Sequence, residues 1–97
     1  MIAVDLQDGF FRDRVVVAVD GLELAHRDGV TTRTQLGFAA TIELAEPAGT
    51  TRLDIALPDK GLATTIDLPA ARPLWLGVSV ADHGLVVRIQ ERPFGYV

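Results

Sequence analysis

Apolar residues alternate with polar or small residues along most of the chain, and this period of two is typical of half-buried β-strands. The alternation runs over 2–6, 15–19 and 30–44, and it returns in the second half. No stretch repeats apolar residues at the spacing of an amphipathic helix. The pattern therefore predicts an all-β protein with helix in fewer than about 10% of its residues, against a usual share near a third.

Turn signals separate the alternating stretches. Asp20-Gly21 stands between two of them, and Asp-Gly favours a type I′ hairpin because both central residues adopt positive φ. Asp8-Gly9 and Asp28-Gly29 have the same chemistry and predict two further turns. With a turn signal every 8–12 residues, we expect seven to nine short strands. Their predicted arrangement is an antiparallel β-sandwich of immunoglobulin-like or transthyretin-like kind, forming a single domain over residues 1–97.

The stretch 30–44 is longer than a usual strand and carries Gly37 in its middle, so it is either two strands or one strand bent between sheets. After it, four-residue turns at 46–49 and 58–61 predict a three-stranded meander. The turns pair Ala45 with Thr50 and Leu57 with Leu62. The same register aligns two further sets across the three strands: Ile42, Leu53 and Ile66 on the inner face, and Glu43, Arg52 and Asp67 on the outer face.

The last predicted hairpin turns at 81–84 and pairs Val80 with Leu85, Val78 with Val87 and Leu76 with Ile89. Together with the earlier alternation, this register defines the apolar face of each strand. The residues that we expect to be buried are Val15, Val17, Val19, Ile42, Leu44, Leu53, Ile55, Ile66, Leu76, Val78, Val87 and Ile89.

Composition narrows the range of functions. Thirteen acidic and nine basic residues give the 97-residue chain a net charge of −4, which argues against nucleic acid as a partner. No apolar run is long enough to cross a bilayer, so we expect no membrane partner. The absence of Cys rules out disulfides and thiolate zinc sites. The start of the chain has no signal-peptide pattern, which predicts a cytoplasmic location unless the chain is excised from a longer secreted one.

Candidate catalytic and metal-binding residues are sparse. Ser79 is the only serine, and no Gly-x-Ser-x-Gly motif surrounds it, although Asp82 and His83 lie nearby. His26 and His83 stand beside turns and form no paired-histidine motif. Asp5, Asp8 and Asp13 lack the spacing of a calcium loop, and no phosphate-binding glycine motif occurs. We therefore expect no enzyme activity, no cofactor and no metal site.

Two segments carry a resemblance to a known family. The segment 17–24, Val-Ala-Val-Asp-Gly-Leu-Glu-Leu, resembles the V-x-V-D-G hairpin of PEGA domains. The segment 44–55, followed by Pro58 and Gly61, is similar to their L-x-x-G-x-x-x-V-x-V-x-x-P-G stretch. These modules share a sandwich with carboxypeptidase regulatory-like and transthyretin-like domains. The resemblance implies a non-catalytic accessory or interaction module and supplies no catalytic residues.

The best candidate site is the outward face of the last hairpin. Its register places Trp75 beside Gln90, Arg88 beside Gly77 and Val86 beside Ser79, and Arg88 is expected to lie over the Trp75 indole. A face of Trp, Arg and small residues is typical of a contact hot spot. The predicted contact surface comprises Trp75, Val86 and Arg88, with Phe94 and Tyr96 at its margin.

The function expected from this surface is that of a non-enzymatic interaction module, bound to a protein partner or to a second copy of itself. Two alternatives remain open at this point. Trp75 could instead stack on a carbohydrate or another small ligand, because an exposed indole provides a flat apolar platform. It could also be covered by a loop or by the C-terminal segment 94–97, in which case it has a structural role.

Overall fold

Eight strands and one short 3₁₀ turn make up the computed structural model, which describes residues 2–44, 51–69 and 73–96. The turn, Pro58–Lys60, is the only helical element among these residues, so the all-β prediction is confirmed. No helix in the described ranges is long and apolar enough to cross a membrane. The strands are β1 (Ile2–Leu6), β2 (Asp13–Val19), β3 (Leu22–Val30), β4 (Ala40–Leu44), β5 (Thr51–Leu57), β6 (Leu62–Leu68), β7 (Leu74–Ala81) and β8 (Gly84–Gln90).

The strands form two four-stranded sheets that enclose the apolar core. Sheet A has the order β4-β1-β7-β8, and sheet B has the order β3-β2-β5-β6. The predicted β-sandwich is confirmed, with one departure from antiparallel pairing: β1 and β7 run parallel, with Ile2 opposite Leu74. The first strand of the chain therefore lies in the interior of sheet A, between β4 and β7.

Two hairpins have the predicted register, and a third has the predicted turn. Asp20 and Gly21 join β2 to β3 with φ of 50° and 86°, as a type I′ turn requires. Leu57 lies opposite Leu62, and Val80 lies opposite Leu85.

The two other Asp-Gly pairs differ from each other. Asp8-Gly9 bends the chain between β1 and β2, as expected, and Gly9 passes so close to Val80 that a Cβ would lie 2.2 Å from the Val80 carbonyl oxygen. The predicted turn at Asp28-Gly29 is wrong, because both residues lie inside β3. There the register against β2 shifts and Gly29 adopts a φ of 64°, which indicates a β-bulge.

The stretch 30–44 forms two strands, which settles the choice between two strands and one bent strand. β3 ends at Val30 in sheet B and β4 begins at Ala40 in sheet A. The connection contains a backbone pairing of Arg33 with Phe38, and Gly37 turns the chain there with a φ of 64°.

The predicted meander is half right. Arg52 lies opposite Asp67, and its Nε is 3.2 Å from an Asp67 carboxylate oxygen. The alignment of β4 with β5 is wrong, because β4 pairs with β1 and β5 pairs with β2. Glu43 consequently lies opposite Ala3, away from Arg52. The expected pair of Ala45 and Thr50 lies outside the described residues.

Most of the predicted core is buried between the sheets. Three residues differ: Ile66 and Val87 are half-buried, and Ile89 is 42% exposed, so its predicted burial is wrong. All three lie on β6 or β8, the outermost strands on one side of the sandwich, where neighbouring strands cover the inner face on one side only. The nine predicted residues that are buried are Val15, Val17, Val19, Ile42, Leu44, Leu53, Ile55, Leu76 and Val78.

Shortening a core side chain should therefore lower the free energy of unfolding far more than shortening one at the sheet edge. We expect Leu53→Ala and Leu76→Ala each to lower the free energy of unfolding by about 2–5 kcal/mol, because both side chains are fully buried. Ile89→Ala is the control and should cost clearly less, since its side chain is already solvated. Urea denaturation measures all three. A cost below about 0.5 kcal/mol for both leucines, the range of surface sites, would contradict the core assignment.

Candidate interaction face

Two polar side chains, Asp5 on β1 and Gln7 just after its end, are buried on the outer face of sheet A. Ile2, Val4 and Leu6 point into the core, so Ala3, Asp5 and Gln7 point away from it. Asp5 is nevertheless only 5% exposed and Gln7 only 3%. An outer face that buries a carboxylate and an amide must be covered and must supply their hydrogen bonds.

Asp5 belongs to a row of residues that crosses all four strands of sheet A. Thr41 on β4, Asp5 on β1, Gly77 on β7 and Arg88 on β8 lie side by side. The Thr41 hydroxyl donates to one Asp5 carboxylate oxygen at 2.8 Å. Gly77 leaves the space for the Gln7 amide, because a Cβ at this position would lie 2.6 Å from the Gln7 Oε1. Gln7 thus fills the space that the missing side chain of Gly77 leaves.

The C-terminal residues complete the cover of this face. The Tyr96 hydroxyl donates to the second Asp5 carboxylate oxygen at 2.6 Å and accepts a hydrogen bond from the Gln7 amide at 3.0 Å. The same Gln7 amide accepts a hydrogen bond from Arg88 at 3.0 Å through its Oε1. One connected network therefore extends from Thr41 to Arg88.

Two aromatic contacts frame the network. The ring of Phe38, which belongs to the connection between β3 and β4, lies 4.7 Å from the Tyr96 ring, centroid to centroid. The Arg88 guanidinium lies 5.3 Å from the centroid of the Phe94 ring, a cation–π distance. These contacts fix both ends of the short segment from Phe94 to Tyr96 on the sheet.

The environment of Tyr96 changes its acidity. Burial is the largest effect and raises its pKa, and the hydrogen bond to Asp5 raises it further, because a phenolate there would lose a donor and face a carboxylate. The hydrogen bond from Gln7 and the charge of Arg88 act in the opposite direction. The net result is a pKa of about 12, against 10.0 for an ordinary tyrosine.

The structure brings the five predicted contact residues together on one face. Val86 lies opposite Ser79 and Trp75 opposite Gln90, as predicted, and Phe94 packs beside Arg88. One detail is wrong: the Arg88 guanidinium lies over Phe94 rather than over the Trp75 indole. Val86 is 50% exposed, whereas Trp75 is half-buried.

The sequence interpretation missed the residues that organise this face. The sequence pattern does not assign Asp5, Gln7, Thr41 or Phe38 to this face, because period two directs the side chains of the first two toward solvent. The available signal was Gly77, since a glycine in the middle of a strand often marks the close approach of another group.

The other candidate groups have ordinary structural partners. Ser79 accepts a hydrogen bond from the Asp8 backbone at 3.3 Å, and Asp13 pairs with Lys60 at 2.9 Å. His26 lies 3.8 Å from Glu23, while His83 is exposed in the turn between β7 and β8. Within the described ranges, no group of three or more His, Asp and Glu residues is placed to hold a metal ion.

The raised pKa of Tyr96 gives a pH-dependent stability. The unfolded chain releases the phenolic proton near pH 10 and the folded chain near pH 12. The contribution of Tyr96 to the free energy of unfolding is therefore complete below pH 10 and is lost as the pH rises from 10 to 12. Tyr96 is the only tyrosine, so phenolate absorbance reports it alone. Asp5→Asn should lower the pKa of Tyr96, because the variant removes the negatively charged partner of the phenol. A wild-type pKa near 10 would show that Tyr96 does not contact Asp5.

Comparisons with other proteins add no family to this geometry. No protein-family model, curated protein or solved structure matches the chain. The functional interpretation of the face therefore depends on the residues described above.

Proposed function

We propose that the chain is a non-enzymatic interaction module that binds a protein partner, or a second copy of itself, through the outer face of sheet A. The observation that carries the proposal is the fixed cluster of arginine and aromatic side chains on this face. Arg88 is held between Gln7 and Phe94, and Tyr96 is held by Asp5 and Phe38. Arg, Tyr and Trp are the residue types that dominate the binding energy of interfaces.

The rigidity of the cluster favours recognition. A side chain that is already held in one conformation loses less entropy when a partner binds. Arg88 donates a hydrogen bond to the buried Gln7, and Tyr96 donates one to the buried Asp5. Each of the two also has an aromatic contact. Val86 adds an exposed apolar side chain beside them. The face thus combines oriented polar groups with apolar area, as binding surfaces do.

The net charge and the composition of the chain narrow the class of partner. A net charge of −4 disfavours nucleic acid, so a protein surface is the proposed partner. The resemblance of the segment 17–24 to a PEGA hairpin supports the same proposal, because those modules are non-catalytic accessories. A cytoplasmic location, unless the chain is excised from a longer secreted one, is part of this proposal.

A second candidate is a carbohydrate or another small ligand at Trp75. The observation that favours it is the cross-strand neighbour of Trp75, Gln90, a hydrogen-bonding residue whose amide Nε2 donates to the Arg92 carbonyl oxygen at 2.7 Å. A flat aromatic surface next to hydrogen-bonding groups suits a sugar ring. Trp75 is the only tryptophan of the chain, so its fluorescence reports such a ligand directly.

Removing the indole tests both candidates. Trp75→Ala should weaken association by more than about 1 kcal/mol, the threshold for a contributing interface residue, while the circular dichroism of the fold is unchanged. Sedimentation over a range of concentrations measures self-association, and titration with simple sugars, followed by Trp75 fluorescence in the wild type, measures the alternative. Leu22→Ala is the matched control, since Leu22 is 67% exposed on the edge strand of the other sheet.

The outcomes separate clearly. Unchanged association in Trp75→Ala, with a folded protein, contradicts a contact role for Trp75. If this variant unfolds, Trp75 is a structural residue, and Val86→Ala becomes the test because Val86 is half exposed. Quenching by a sugar with no self-association at any concentration favours the small-ligand candidate.

A further inference from the structure

β8 is an edge strand that lacks the usual protection of edges. It pairs with β7 on one side and is the last strand of sheet A on the other. Edge strands normally carry charges, prolines or bulges that prevent pairing with another chain. From Gly84 to Gln90, β8 has one charged residue, Arg88, and no proline.

Two of the other three edges are better protected, and the third is less apolar. β3 has two register shifts and exposes Glu23, Arg27 and Asp28. β4 is only five residues long and exposes Glu43. β6 resembles β8 in having one charged residue, Asp67, and no proline, but its inner face carries Thr64 in place of an apolar side chain and is therefore less apolar. β8 is therefore the edge at which pairing meets the least resistance.

The apolar side chains of β8 are incompletely covered. Leu85, Val87 and Ile89 point toward the core, yet the first two are half-buried and Ile89 is 42% exposed. Their neighbours Leu76 and Val78 on β7 are fully buried. Among the described residues, the core of the sandwich thus reaches solvent at β8. An apolar strand that pairs on one side only is a site for strand addition.

We infer that β8 pairs with β8 of a second copy of this chain, antiparallel and around a twofold axis at Val87. The inference rests on the proposed function and names the partner as the same chain. The two copies of sheet A would join into one continuous eight-stranded sheet. The inner-face side chains of the two β8 strands would then lie side by side and shield each other from water.

The alternation of core-facing and solvent-facing side chains, together with the charge of Arg88, selects this register. With Val87 opposite Val87 of the partner subunit, Leu85 faces the partner's Ile89 and Val86 faces the partner's Arg88, so all seven residues are paired. A shift of one residue would place core-facing side chains opposite solvent-facing ones. A shift of two residues in one direction would place Arg88 opposite the partner's Arg88, and this like-charge pair would be destabilising. In the other direction, Ile89 would extend beyond the partner's strand.

A single cysteine tests the register, because the chain has none of its own. Directly opposite residues of antiparallel strands have Cα atoms about 4.5–5.5 Å apart, within the range of a disulfide. Val87→Cys should therefore form a covalent dimer under mild oxidation. Thr65→Cys is the matched control: it occupies the middle of the β6 edge and should stay monomeric.

Introducing a positive or a negative charge at Val86 tests the same contact without oxidation. Val86→Arg would face the partner's Arg88 at two symmetric positions, and we expect dimerisation to weaken at least tenfold. Val86→Glu would face the same arginines with opposite charge, and dimerisation should tighten or stay equal. The wild-type side chain is 50% exposed, so both variants should keep the fold, which circular dichroism verifies.

The outcomes distinguish this inference from the proposed function. A Val87→Cys dimer together with opposite effects of the two Val86 variants supports the edge pairing. The pairing is overturned if Val87→Cys does not cross-link, or if both charged variants weaken association equally. If it is overturned while Trp75→Ala still weakens binding, the outer face of sheet A remains the contact surface and only the edge pairing is wrong.

Discussion

The buried carboxylate of Asp5 is the constraint on which the arrangement of sheet A depends. β1 lies between β4 and β7 and is buried on both faces, so this charge is taken out of water. A buried carboxylate is tolerated only when its oxygens receive hydrogen bonds. Thr41 supplies one donor and Tyr96 supplies the other, and the second donor comes from the far end of the chain. Satisfying one acidic group therefore ties the two ends of the described chain to each other.

The arrangement of the proposed contact face follows from the same requirement. Tyr96 can reach Asp5 only if the residues after β8 fold back over the sheet, and this path places Phe94 under Arg88. Gln7 then connects Tyr96 to Arg88 through the two ends of its amide. The polar groups that close the network also orient the arginine and aromatic side chains. The fold of sheet A and the proposed contact surface thus depend on the same hydrogen bonds.

Local chemistry determined which features were predictable from sequence. The register of Leu57 with Leu62 follows from a short turn, and so does the placement of Val86 and Arg88 on one face. The pairing of β4 with β1 depends on contacts between segments distant in sequence, and hydrophobic alternation is the same for either partner. The burial of Asp5 was missed for a related reason: alternation identifies the outward side of a strand, but it carries no information about a segment that later covers that side.

The parallel pairing of β1 with β7 also bears on how the chain folds. Ile2 meets Leu74 about seventy positions further along the chain, whereas β5 and β6 are joined by a short turn. Closing such a long loop has a large entropic cost before any contact rewards it. Sheet B can assemble largely from neighbouring hairpins, but the centre of sheet A requires the first strand and the last hairpin together. β1 is synthesised before the other strands of the sandwich and is thus among the last to reach its native partners. A nascent or partly unfolded chain therefore exposes the strand whose five residues are all buried in the finished sandwich.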